Sequence, residues 1–131
     1  MISAVIIDDE ARSRETIREM LRLYCNGIEV VAEAQDVKSG IEAIKRHNPQ
    51  LVLLDIRMPD GSGFDLLRQI MPVSFRIIFV TAYEEYAIKA FRFNALDYLT
   101  KPIEPAELQN AIEKASTIIE NEDLNERLKK L

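Results

Sequence analysis

Two adjacent acids, Asp8 and Asp9, close the first apolar run of the chain in "VIIDDE", and a third, Asp55, closes the run "LVLLD". Thr81 ends "RIIFVT", and Lys101 follows "DYLT". Each has an ordinary reading. Asp8 and Asp9 can cap a helix, because acids favour helix N-termini. Asp55 can open the turn announced by Pro59, Asp60, Gly61 and Gly63. Thr81 can be structural and Lys101 a solvated loop charge. What they share is position: all stand at the carboxyl ends of short apolar runs. One site explains that better than a series of coincidences.

The chemistry of such a site follows from its charges. Clustered carboxylates raise one another's pKa unless a cation sits among them. Mg²⁺ prefers oxygen ligands and binds through one or two carboxylates plus phosphate oxygens. Asp9 and Asp55 can supply the carboxylates, Asp8 can hold a coordinated water, and the loop after Asp55 can offer the Arg57 carbonyl. Lys101 compensates charge from the other side. An acidic metal site beside an ammonium and a hydroxyl suits a phosphoryl group. Asp55 is then the oxygen nucleophile, since carboxylates form acyl phosphates.

These residues need elements to hold them. "AVII" (Ala4 to Ile7), "IEVVAEA" from Ile28, "LVLL" (Leu51 to Leu54), "RIIFV" (Arg76 to Val80) and "DYLT" (Asp97 to Thr100) read as strands. Three are almost wholly aliphatic, as strands covered on both faces are. Helical stripes lie between them: Ile17, Met20, Leu21 and Tyr24; Ile41 and Ile44; Phe64, Leu66, Leu67 and Ile70, with Gly63 at the start; Tyr86, Ala87, Ala90 and Phe91; and Leu108, Ala111, Ile112, Ala115 and Ile119. Five βα units in series predict an α/β fold with a doubly wound parallel sheet. Ligands of such sheets bind outside the carboxyl ends of the strands, where the acids, Thr81 and Lys101 fall. After Ile119 the stripe breaks at Asn121, Glu122 and Asp123. Leu124, Leu128 and Leu131 resume out of phase. A domain over 1–119 and a helical or frayed linker over 120–131 are expected, with a short dimerising coiled coil as the alternative.

The totals narrow the class. The chain has 131 residues, 47% of them hydrophobic, enough for the core of one domain. Its net charge of -5 argues against a nucleic-acid-binding surface. Cys25 is the only cysteine, so neither an internal disulfide nor a cysteine-built zinc site can form, and a reducing cytoplasm fits. The N-terminus does not read as a signal peptide, and no run approaches the roughly 20 apolar residues of a membrane span. His47, the only histidine, is expected in a solvated loop before the third strand.

"VIIDDE", "LVLLDIRMPDGSGFDLL", "FVTAY" and "DYLTKP" together resemble the receiver domain of two-component response regulators. The likeness runs from about Ile2 to Ile119. It implies a flavodoxin-like (βα)5 fold with strand order 2-1-3-4-5. It implies Asp55 as acceptor of a phosphoryl group from a sensor histidine kinase. Mg²⁺ would be held by Asp9, Asp55 and the Arg57 carbonyl, with Asp8 in support. Lys101 would sit on the phosphoryl oxygens, and the Lys101–Pro102 bond would be cis. Thr81 and Tyr98 match the switch pair: Thr81 moves toward the phosphoryl group and Tyr98 turns inward. The face of the fourth helix, fifth strand and fifth helix then changes to control homodimerisation or an output domain. Arg57 and Tyr83 flank the phosphoryl site and bear on slow autodephosphorylation, the only other chemistry expected.

The stretch "FVTAYEEYAIKAFRFNALDYLTKPIEPAEL" is similar, more particularly, to receivers of LytTR-type transcription regulators, which implies a DNA-binding output domain. A stand-alone receiver or phosphorelay intermediate is the alternative. An aspartyl-nucleophile phosphatase is disfavoured because Arg57 stands where a second acid would protonate the leaving group. A nucleotide-binding module lacks G-x-G-x-x-G and G-x-x-x-x-G-K-[ST]. A pseudo-receiver scaffold has no support, because all key residues are present.

Overall fold

A computed structural model describes all 131 residues. Five parallel strands form one sheet: β1 (Ile2–Ile7), β2 (Ile28–Ala34), β3 (Leu51–Leu54), β4 (Arg76–Thr81) and β5 (Asp97–Thr100). Their spatial order is β2-β1-β3-β4-β5, the expected doubly wound order. The helices are α1 (Ala11–Tyr24), α2 (Val37–His47), α3 (Gly63–Gln69), α4 (Ala87–Arg92) and α5 (Pro105–Lys129). A two-residue antiparallel pair, Arg57–Met58 with Gly61–Ser62, folds the loop after β3, and a 3₁₀ turn spans Glu84–Tyr86.

The nearly continuous aliphatic runs are explained by burial on both faces. Side chains alternate across a strand, so Val52, Leu54, Ile77 and Phe79 face one core layer with Phe64, Leu66 and Leu67 of α3. Leu51, Leu53, Ile78 and Val80 face the other, with Ile17 and Leu21 of α1 and the full stripe of α5. Each fully buried Leu or Ile contributes about 1.5–3 kcal/mol as an upper figure. The register pairs Ile7 with Leu54, Leu54 with Phe79, and Thr81 with Thr100. That register brings the chemical residues to one edge.

Local signals place the helices against this frame. Asp36 caps α2 by accepting from the Ser39 N–H at 2.7 Å, and Ser62 caps α3 by accepting from the Asp65 N–H at 3.0 Å. Gly63 begins α3 where a Cβ would collide with the Asp55 carbonyl.

Some stripe positions depart from expectation. Tyr24, the last residue of α1, is exposed. Phe91 is exposed as well: α4 stops at Arg92, and Phe93 instead folds back onto Phe64, ring centres 5.2 Å apart. Tyr86 lies in the 3₁₀ turn rather than in α4. His47 forms the last turn of α2 rather than a loop, and is exposed.

α5 continues without a break through the expected boundary at 119, but Ile119 is its last buried residue. Just beyond it, Glu122 pairs with Arg76 at 2.8 Å and Asp123 accepts from Gln50 at 3.3 Å. The acids that interrupt the apolar stripe thus hold the helix to the base of β3 and β4. Leu124 and Leu128 are exposed.

Candidate functional site: an acidic cleft at the strand ends

The end of β1 delivers Asp8 and Asp9, and the end of β3 delivers Asp55. Asp8 is 1% and Asp55 5% exposed, whereas Asp9 is open to solvent. A carboxylate oxygen from each lies within 4.8 Å of the others. Backbone pairing sets this spacing: the Asp55 N–H donates to the Ile7 carbonyl at 2.9 Å, and the Asp8 N–H to the Ala34 carbonyl at 3.0 Å. Asp8 Oδ1 accepts from the Glu10 N–H, and its carbonyl accepts from the Arg14 guanidinium at 2.7 Å. Asp55 Oδ1 accepts from its neighbour's N–H, Ile56, at 2.6 Å. Asp8 and Asp9 therefore do not cap α1; Glu10 occupies that position and its side chain makes no cap bond.

Lys101 closes the cluster. Its Nζ donates to Asp8 Oδ2 at 2.8 Å and to Asp55 Oδ2 at 3.1 Å, with Glu10 at 3.7 Å. The backbone brings it there, since the Lys101 N–H donates to the Thr81 carbonyl at 2.8 Å. The Lys101–Pro102 peptide is cis, as is Met71–Pro72.

The charges perturb one another. Burial pushes the Asp55 carboxyl above its ordinary value, against the pull of the Thr81 hydroxyl and the Lys101 charge; Asp8 adds to the rise. Burial works to lower the Lys101 ammonium, but its bond with Asp8 and the charges of Asp55 and Asp8 outweigh this and hold it raised. A cation placed among these carboxylates would favour their ionised forms. Three carboxylates converging with only hard oxygen donors fit Mg²⁺ better than a soft metal.

Thr81 is wholly buried, and its hydroxyl accepts weakly from the Tyr83 N–H at 3.4 Å. Tyr98 on β5 is half-buried. Its hydroxyl donates to the Tyr83 carbonyl, and its ring lies 6.2 Å from Phe79. Burial raises its phenol above the ordinary range. Thr81 and Tyr98 therefore both touch the backbone of Tyr83. Arg57 is exposed, with its guanidinium 4.1 Å over the Tyr83 ring. A cleft of about 340 Å³ opens above these groups, lined by Asp9, Asp55, Arg57, Tyr83 and Lys101 among others. A larger cleft, about 540 Å³ beside Phe91 and Arg76, lies away from the acids.

Two residues have roles beyond those their sequence context predicts. Asp60 belongs to the expected turn but does more. Its two carboxylate oxygens accept from the Val37 and Lys38 N–H groups, at 2.8 and 3.0 Å. The loop that follows Asp55 is thereby tied to the N-terminus of α2. Tyr86 falls in the predicted apolar stripe, but its hydroxyl accepts from the Arg57 guanidinium at 3.0 Å. An acid inside a Pro–Asp–Gly turn was the only available signal for the first; nothing local marked the second.

Comparison with known proteins gives this arrangement its family. The profile of the response regulator receiver domain matches residues 4–113. The chain is a response regulator receiver domain. An uncharacterized response regulatory protein of Vibrio parahaemolyticus is 38% identical over 129 residues, covering 98% of this chain and 53% of that one. The transcriptional regulatory protein BtsR of Escherichia coli K12 is 41% identical over 113 residues, covering 86% and 47%. Among solved structures, the receiver domain of AraT, a response regulator from Geobacillus stearothermophilus, superposes with a TM-score of 0.83 at 34% identity, covering 93% of this chain and 98% of that one. This receiver domain spans about half the length of the curated relatives it matches. No helix in it is long and apolar enough to cross a membrane.

Proposed function

We propose that this receiver domain is a phosphorylation-dependent switch in which Asp55 accepts a phosphoryl group from the phosphohistidine of a sensor histidine kinase. The observation that carries this reading is the Asp55 carboxylate, almost fully buried yet bordering an open cleft, with Lys101 on one oxygen and two further acids beside it. An Asp55 carboxylate oxygen attacks phosphorus, the P–N bond to the kinase imidazole breaks, and an acyl phosphate forms. Lys101 stabilises the charge of the transferred oxygens. Asp9, Asp55 and the Arg57 carbonyl are the residues that would hold Mg²⁺, with Asp8 supporting a bound water. Bound there, the cation would neutralise the carboxylates and polarise the phosphoryl oxygens. The domain performs no other catalysis than this self-modification and its slow reversal by water, on which Arg57 and Tyr83 bear.

The switch is the pair Thr81 and Tyr98. A phosphoryl group brings about -1.5 to -2 charge and three acceptor oxygens, to which the Thr81 hydroxyl moves, and Tyr98 fills the space it leaves. The contact of both residues with Tyr83 supports this coupling. The face of α4, β5 and α5 changes in response and controls dimerisation or an output domain. That output domain binds DNA: BtsR, a relative about twice as long as this chain, is a transcriptional regulatory protein, and the sequence resembles LytTR-type receivers. The setting is the cytoplasm, where such kinases present their phosphohistidine.

The test is incubation with a small-molecule phosphodonor and Mg²⁺, followed by intact-mass and peptide mass spectrometry. One phosphoryl group on Asp55, absent from Asp55→Asn and from metal-stripped protein, is expected. Modification at another residue, or equal labelling with the metal removed, overturns the assignment.

A further inference from the structure

Arg57 stands out among the charges of the cleft because no acid holds it. Asp8, Glu10 and Asp55 all turn to Lys101, and Arg57 takes part in no ion pair within 4.0 Å. Its partners are neutral: the Tyr83 ring at 4.1 Å, the Tyr86 ring at 5.8 Å and the Tyr86 hydroxyl at 3.0 Å. Yet Arg57 and Asp55 line the same cleft. A guanidinium grips a phosphoryl group through paired, charge-assisted bonds, whereas a phenol offers one neutral acceptor.

Tyr86 is well placed to feel the loss of that partner. It ends the 3₁₀ turn that leads into α4, and its ring packs 6.3 Å from Tyr83 and 6.2 Å from Phe64. The segment from Tyr83 to Tyr86 therefore has two polar clamps: Tyr98 on the Tyr83 carbonyl, and Arg57 on the Tyr86 hydroxyl.

We infer that Tyr86 is a positioning residue that holds Arg57 away from the acceptor in the unmodified protein, and that a phosphoryl group on Asp55 draws the guanidinium off Tyr86, freeing the turn before α4. This rests on the function proposed above and adds a second route from Asp55 to α4 beside Thr81 and Tyr98. Holding Arg57 on Tyr86 opposes phosphoryl binding, so removing the hydroxyl strengthens it.

The experiment measures affinity for beryllium fluoride in the presence of Mg²⁺ by calorimetry, for the wild type, Tyr86→Phe, Arg57→Met and the double variant. Tyr86→Phe is expected to bind roughly two- to fivefold more tightly, the net worth of one ordinary solvent-exposed hydrogen bond. In the Arg57→Met background the same substitution is expected to change nothing, which a merely structural role for Tyr86 would not produce. The Arg57 guanidinium N–H resonances in NMR are expected to shift on saturation of the wild type, and to differ from wild type already in ligand-free Tyr86→Phe, where Nη2 has lost its acceptor. Equal affinities of wild type and Tyr86→Phe, or the same gain with and without Arg57, overturn the inference while leaving phosphorylation of Asp55 intact. A wild type that neither binds beryllium fluoride nor takes up a phosphoryl group overturns the proposed function itself, and this inference with it.

Discussion

Lys101 Nζ lies 3.1 Å from the Asp55 carboxylate, a residue 46 positions earlier in the chain. The same ammonium holds Asp8 at 2.8 Å, so one cation offsets two buried acids.

Replacing Lys101 by Met leaves those acids uncompensated. In metal-free buffer at neutral pH the variant is expected to lose about 1–3 kcal/mol of stability, less than a fully buried pair would cost because Lys101 is partly solvated. Urea denaturation measures it. Phosphorylation of Asp55 is expected to persist, but without the change at the α4, β5 and α5 face, which NMR shift mapping would reveal.

Gly63→Ala tests the packing behind Asp55. The new Cβ would run into the backbone carbonyl of Asp55 and lie 3.1 Å from Leu54 Cγ. A backbone atom cannot swing aside like a side-chain tip. A loss of roughly 2–4 kcal/mol is expected, as for overpacking with a forced backbone shift, together with reduced labelling of Asp55. A variant as stable as wild type would contradict the contact.

Asp60→Ala removes both acceptors that the loop offers to α2. A stability loss of about 1 kcal/mol or somewhat more is expected, as for loss of a helix cap. Faster amide exchange at Val37 and Lys38 should accompany it, because those N–H groups lose their partners.

Asp36 and Asp65 predict how stability responds to acid. The Ser39 hydroxyl and N–H lower the Asp36 carboxyl, and the Ser62 backbone and hydroxyl lower Asp65. A carboxyl lowered by folding contributes stability above its unfolded pKa and loses it as pH falls through the folded value. Asp36→Asn is therefore expected to flatten part of the acid arm of a stability–pH series, with little difference from wild type at the acid end.

Glu122→Ala should barely move the global unfolding transition, since its pair with Arg76 is largely solvated and worth well under about 1 kcal/mol. Amide exchange over residues 120–129 is where the change is expected, because that pair and the Asp123 contact tie this exposed stretch to the body.

The sheet was legible because β1, β3 and β4 are buried on both faces, and an almost unbroken aliphatic run admits few other readings. The acid cluster was legible because strand ends converge in any doubly wound sheet, so residues far apart in sequence can be assigned to one edge without coordinates. Contacts between loops were not. Asp60 reaches α2 across 22 residues and Arg57 reaches Tyr86 across 29, and no periodicity encodes either meeting. Phe91 misled because α4, six residues long, makes fewer than two turns, too short for a stripe to have meaning, and Phe93 took the inward place. Apolar packing of α5 does end at Ile119, and just beyond it Glu122 and Asp123 are polar partners for Arg76 and Gln50, contacts that no stripe announces.

α5 makes the last point mechanical. Lys129 stands about 15 Å beyond Ile119 at the ordinary helical rise. A helix of this kind works as a lever: a tilt of about 10° where it leaves the body sweeps the tip through about 3 Å. Small rearrangements beneath α5 thus arrive at its far end enlarged, with the Arg76–Glu122 pair close to the fulcrum.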